Sequence, residues 1–137
     1  AKETAVTDPH LPRVIEVLEV IDCGPGPSAS CPHCGADGRY ITRFRCDDGT
    51  TRGAMSGCFK LFPAHRFCLR VDEIKRREIE AERQGRRLAS WDQAILDAIR
   101  AFASGERSEA EVDRVIKIED ARKKSWCKSR ARGGRRR

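Results

Sequence analysis

This chain is poor in aromatic side chains and in histidine. Phe, Trp and Tyr make up 6% of its 137 residues, with one Tyr, one Met and three His. So little ring surface makes a thin core for the length, which points to some other source of stability. No apolar run approaches the length of a membrane span, so a transmembrane helix is excluded from the reading. No apolar leader follows Ala1-Lys2-Glu3-Thr4, so a signal peptide is not expected. Hydrolytic zinc motifs are missing too. There is no His-Glu-x-x-His, no His-x-Glu ahead of a Cys-x-x-Cys, and no histidine in the stretch from Cys46 to Arg52 where a His-Asn-His nuclease would carry one. The expectation is a non-enzymatic, cytoplasmic protein.

What the chain does have is seven cysteines, an odd number that does not read as a disulfide framework. The densest signal is Cys31-Pro32-His33-Cys34-Gly35. Two cysteines two residues apart aim two thiolates at one point, and the glycine lets the backbone reverse beneath them. Arg39-Tyr40-Ile41-Thr42-Arg43-Phe44-Arg45 alternates like a strand, Asp47-Asp48-Gly49-Thr50 reads as a turn, and a second run returns to Cys58. Knuckle, hairpin and returning cysteine are the parts of a small Zn2+ site, a cofactor able to contribute on the order of 10 kcal/mol to folding.

The expected ligands are Cys31, Cys34, Cys58 and, as fourth, His65, seven residues after Cys58. Cys68, Cys46 and Cys23 remain alternatives. Cys46 is equally spaced from Cys34 and Cys58, but a strand of about six residues at ~3.3 Å each carries it roughly 20 Å away. His33 is expected to point outward. Two other readings of the knuckle stand beside the metal. Cys-Pro-His-Cys also occurs in thiol oxidoreductases, where a helix continues past the second cysteine; Gly35-Ala36-Asp37-Gly38 will not carry one. The cysteines also fit buried free thiols in a reducing compartment.

Net charge is +7, unevenly placed. Ala121 to Arg137 holds Arg122, Lys123, Lys124, Lys128, Arg130, Arg132, Arg135, Arg136 and Arg137 and no acid, which leaves 19 basic and 21 acidic residues elsewhere. Such a run binds polyanions, mostly through phosphate, so DNA or RNA is the expected partner. Arg39, Arg43, Arg45 and Arg52 add a basic stripe on the hairpin beside Tyr40 or Phe44.

Residues 1–12 read as an arm and 13–68 as the zinc-binding β module, its first strand over Arg13 to Asp22. Valine and isoleucine favour that strand, although its apolar pairs also fit a short helix. Phe59, Leu61, Phe62 and Phe67 are its expected core. Residues 69–124 read as helical: Asp72 caps a first helix over about Glu73 to Gln84, Ser90-Trp91-Asp92-Gln93 and Ser108-Glu109-Ala110-Glu111 are capping boxes opening two more, and the short link at Gly105 favours a helical hairpin. Residues 125–137 read as an unfolded basic tail. The fold class expected is α+β. An alternative function is an adaptor docking a host protein through the zinc module and the Trp91/Phe102 helix face.

The knuckle, hairpin and Gly53-Ala54-Met55-Ser56-Gly57-Cys58-Phe59-Lys60 return resemble zinc-ribbon or treble-clef fingers, and more narrowly small zinc-finger proteins of actinobacterial phages. The resemblance covers Pro12 to Phe67. It implies a non-catalytic nucleic-acid or protein adaptor of phage origin that regulates host nucleic-acid machinery in the host cytoplasm. A second Cys-x-x-Cys, usual in that family, is missing here.

Overall fold

A computed structural model describes residues 7–135, with side chains from 7 to 131. The class is α+β, and the chain divides after Gly85 into two compact units.

The first unit is built on a three-stranded antiparallel sheet of β1 (Val14–Asp22), β4 (Tyr40–Cys46) and β5 (Thr51–Ala54), ordered β1-β4-β5. Between β1 and β4 lies a two-stranded ribbon of β2 (Ala29–Ser30) and β3 (Asp37–Gly38). Then come α1 (Ser56–Phe59) and α2 (Arg66–Arg83).

The helix-like spacing of β1 has a physical cause. Its register against β4 shifts between Val14 and Glu16 and again between Val17 and Glu19. Each bulge inserts one residue, so the inward positions fall at Val14 and Val17, three apart, while Ile15 and Leu18 face out.

In β4 alternation is strict. Thr42, Phe44 and Cys46 are buried, and Arg43 and Arg45 are exposed. Phe44 is thus the centre of the core and not a surface ring: its centroid lies 5.1 Å from Phe59 and 4.9 Å from Phe62. Leu61, expected inside, is 37% exposed. Val14, Val17, Cys31, Cys46 and Ala54 complete the cluster.

The helix expected from Glu73 starts at Arg66, seven residues earlier. Asp72 does not cap it. Asp72 lies mid-helix, buried at 4% exposure, and accepts a hydrogen bond from the Thr42 hydroxyl. Arg76 donates to Asp72 at 3.3 Å and to the Thr42 oxygen at 3.0 Å. One turn on, the Tyr40 hydroxyl donates to Glu80 at 3.0 Å and accepts from Arg83 at 3.1 Å. A helix with few apolar residues docks on the sheet through this polar ladder, supported by buried Phe67 and Ile74. Because α2 packs on β1, the front unit reaches Gly85 and not Cys68.

The second unit pairs α3 (Ser90–Ala103) with α4 (Glu109–Arg135). Ile95, Leu96, Ala98, Ile99 and Val112 are buried. Ser108 and Glu111 form the expected capping box: the Ser108 N–H donates to the Glu111 carboxylate at 2.9 Å, and the Glu111 N–H donates to Ser108 Oγ at 3.2 Å. Ser90 is no cap. Ala89 takes that position without a side-chain bond, and the Ser90 hydroxyl accepts from Arg122 at 3.2 Å instead. The basic stretch expected to be unfolded from residue 125 continues α4 through Arg135.

Asp72→Ala leaves the Thr42 hydroxyl and the Arg76 guanidinium without their shared acceptor. It should lower unfolding free energy by about 2 kcal/mol, read as a shift in urea midpoint, while Asp97→Ala on the exposed face of α3 should be near neutral.

Candidate metal centre

The knuckle is a tight reversal. The Gly35 N–H donates to the Cys31 carbonyl at 2.8 Å, and the Cys31 N–H donates to the Ala36 carbonyl at 2.8 Å. Gly35 has φ +80°, the left-handed region that an L side chain resists, as the spacing predicted. The β2–β3 ribbon closes the turn on one side. The ends of the larger loop are clamped by Asp22 and Arg39, which pair in a bidentate bridge at 2.7 and 2.9 Å. That guanidinium, with the Gly24 N–H, holds the Asp22 carboxyl down to about 2.

Cys58 arrives differently from the expectation. It sits in α1, not on a strand. Met55, just before that helix, donates its N–H to Cys31 Sγ at 3.3 Å, so the second segment is hydrogen-bonded directly to a sulfur of the first. Gly38 leaves room for the Met55 side chain: a Cβ there would lie 2.3 Å from Met55 Sδ, and the flexible thioether would have to move. The sequence pattern carried no sign of either contact.

Cys31, Cys34 and Cys58 thereby bring their sulfurs within 4.8 Å of one another. Cys31 is buried, Cys58 half-buried and Cys34 exposed. Metal–sulfur bonds of ~2.3 Å in a tetrahedron put sulfurs about 3.8 Å apart, so the trio fits an ion with small adjustment. Burial pushes the Cys31 thiol up, but the N–H groups of Met55, Cys34 and His33 outweigh it and bring it down to about 7. Cys58 goes the other way, pushed up to about 12 by its hydrogen bond to Cys34, its burial and its nearness to Cys31. Three crowded sulfurs cannot all be anionic unless a cation sits among them.

His65, expected as fourth ligand, does not join the cluster. It is the N-cap of α2, where its Nδ1 accepts the Phe67 N–H at 3.1 Å. Neither do the alternatives: among the described residues no other cysteine, histidine or carboxylate falls within the group. Cys46 is outside the group but buried in the same core cluster as Cys31, and Cys68 lies partly buried against that core; burial pushes both thiols up. Cys23 lies outside the group as well, half-buried. His33 does point outward, exposed, with its ring edge-on to Phe62 at 5.3 Å. No helix follows Cys34, so the helix N-terminus that lowers the thiol in Cys-x-x-Cys oxidoreductases is not formed here, and local N–H groups lower Cys31 instead.

The basic stripe on the hairpin is neutralised. Register places Glu16 opposite Arg45 and Glu19 opposite Arg43. Arg45 pairs with Glu16 at 2.8 Å, Arg43 with Glu19, Arg39 with Asp22, and Arg52 with Asp48 at 3.4 Å. The basic end of α4 differs. Lys124, Lys128 and Arg130 are exposed and Lys123 half-buried. Arg122 pairs with Glu119. Trp126 meets Trp91 at 5.6 Å, and Arg130 lies over the Trp126 ring at 5.1 Å. Arg132 and Arg135 continue the helix with side chains outside the described residues, as are Arg136 and Arg137 entirely. Among the described residues, no helix is long and apolar enough to cross a membrane.

No family model matches this chain, and no curated protein or solved structure does either.

The geometry separates ligand from cap. Cys31→Ser, Cys34→Ser or Cys58→Ser should each lower bound metal per chain in elemental analysis, while Cys46→Ser should not. His65→Ala should keep the metal and lose about 1 kcal/mol of stability through the lost cap.

Proposed function

We propose that the protein is a non-enzymatic Zn2+-binding protein that engages nucleic acid through the basic end of α4. The observation that carries the metal reading is the convergence of three sulfurs from two segments, organised by a Met55 N–H to Cys31 contact and a glycine-dependent turn. Zinc is the ion favoured for a thiolate-only donor set that serves as scaffold. A structural role fits the position: Cys31 belongs to the same buried cluster as Phe44, Phe59 and Phe62, so the ion would fasten the edge of a small core.

The nucleic-acid reading rests on charge. Acidic partners on β1 and at the hairpin turn compensate the arginines of the hairpin, whereas the stretch from Ala121 onward contains no acid at all. The cations that α4 carries, up to Arg135, lie along one helix and suit phosphate backbone contacts without base readout. Trp126 meets Trp91 yet stays 48% exposed, and the reading does not depend on its stacking on a base. The adaptor reading loses support, since Ile95, Ala98 and Ile99, on the Trp91/Phe102 face, are buried in the described fold.

Two measurements test this. Purified protein should contain about one zinc per chain, and chelation should lower its melting temperature. Lys124→Gln/Lys128→Gln/Arg130→Gln should weaken binding to a random duplex on the order of a hundredfold at low salt and flatten the log–log salt slope by about 2–3. Binding that ignores both salt and these substitutions removes the nucleic-acid reading.

A further inference from the structure

The donor set at the centre is three sulfurs, and the places of the remaining donors say how a fourth position would be filled. This inference rests on the metal reading above. His65 is committed through Nδ1 to the first turn of α2. Cys46 is 1% exposed inside the hairpin core, and Cys68 sits on α2 against the same core. Cys23 is held at the foot of β1 by its N–H bond to the Arg39 carbonyl at 2.9 Å. His33 lies between the two knuckle cysteines in sequence, but its ring is seated against Phe62 and outside the sulfur group. His10 and the exposed Cys127 lie outside the sulfur group too, and residues 1–6 and 132–137 contain no cysteine or histidine. The cluster also meets solvent, through the exposed Cys34.

We propose that a metal ion on Cys31, Cys34 and Cys58 completes its shell from outside this unit's cysteines and histidines, with a solvent molecule that an exogenous thiolate displaces. The chemistry favours that class of ligand. Three thiolates around a dication leave one negative charge on the complex and donate strongly, so a water in the fourth position stays a weak acid and a poor nucleophile. Hydrolysis is not promoted, but exchange for a softer donor is, because sulfur matches the ion better than oxygen does. The centre would then be a docking point for a thiol as well as a fastener of the fold. In the exchange a thiolate sulfur forms the new metal bond, the water leaves with its electron pair, and the thiol proton goes to solvent; nothing is oxidised or reduced.

The test uses Co2+ as probe on the full chain, reconstituted anaerobically with no small thiol present. The expected result is sulfur-to-cobalt charge-transfer absorption corresponding to three Co–S bonds. It should rise by about a third as mercaptoethanol is added, as three sulfurs become four. His33→Ala and Cys127→Ser should leave both the starting spectrum and the rise unchanged. Four-sulfur absorption before any thiol is added, no response to thiol, or a starting spectrum altered by either substitution would overturn the proposal while leaving the metal centre standing. No cobalt uptake, or uptake indifferent to Cys34→Ser, would overturn both.

Discussion

Three sulfur atoms meeting at one point impose the main constraint on the front half of this protein. Two come from a five-residue turn and one from a helix begun 22 residues after the knuckle's second cysteine, so the intervening chain must leave and come back. The β4–β5 hairpin is that excursion. Its return is set by the β4–β5 register, which runs Thr42 opposite Ala54 to Arg45 opposite Thr51, and the Met55 N–H then joins it to Cys31 Sγ. The aromatic cluster of Phe44, Phe59 and Phe62 lies beneath, and with Cys31 in the same cluster the core and the sulfur site share a wall.

Charge is managed in opposite ways in the two units. In the first, the hairpin arginines have carboxylates set against them by register or turn spacing, and one carboxylate, Asp72, is buried as the anchor for α2. Exposed pairs of this kind contribute little to stability, from about 0 to 1 kcal/mol each. Their effect is on the surface potential: they make the hairpin close to neutral. In the second unit the acids stop at Asp120, and the cations beyond it accumulate along α4.

Much of this was legible in the chain itself. The α+β class, the knuckle with its glycine, the grouping of Cys31, Cys34 and Cys58 and the Ser108 capping box all follow from short-range patterns, where spacing alone fixes geometry. What was not legible depended on pairing between distant segments. The bulges in β1 disguised its inward face as a helical one. Asp72 looks like a helix cap until Thr42 is placed opposite it, and the hairpin arginines look free until Glu16 and Glu19 arrive from another strand. His65 has the residue type and reach of a ligand, but its ring satisfies a backbone N–H at a helix start that polar composition concealed.

The extension of α4 has the least obvious cause. Residues 124–131 are exposed on all sides, and apart from the Trp91–Trp126 contact little apolar packing favours the helix there. Like charges three and four residues apart repel along a helix by a few tenths of a kcal/mol per pair. The helix is nonetheless propagated from a first half anchored by buried Val112 and a complete cap, and propagation is far easier than nucleation. Under the proposed function, phosphate contacts would remove the repulsion that opposes it. Binding and helix order in this segment are then thermodynamically linked: whatever neutralises the cations also stabilises the rod that carries them.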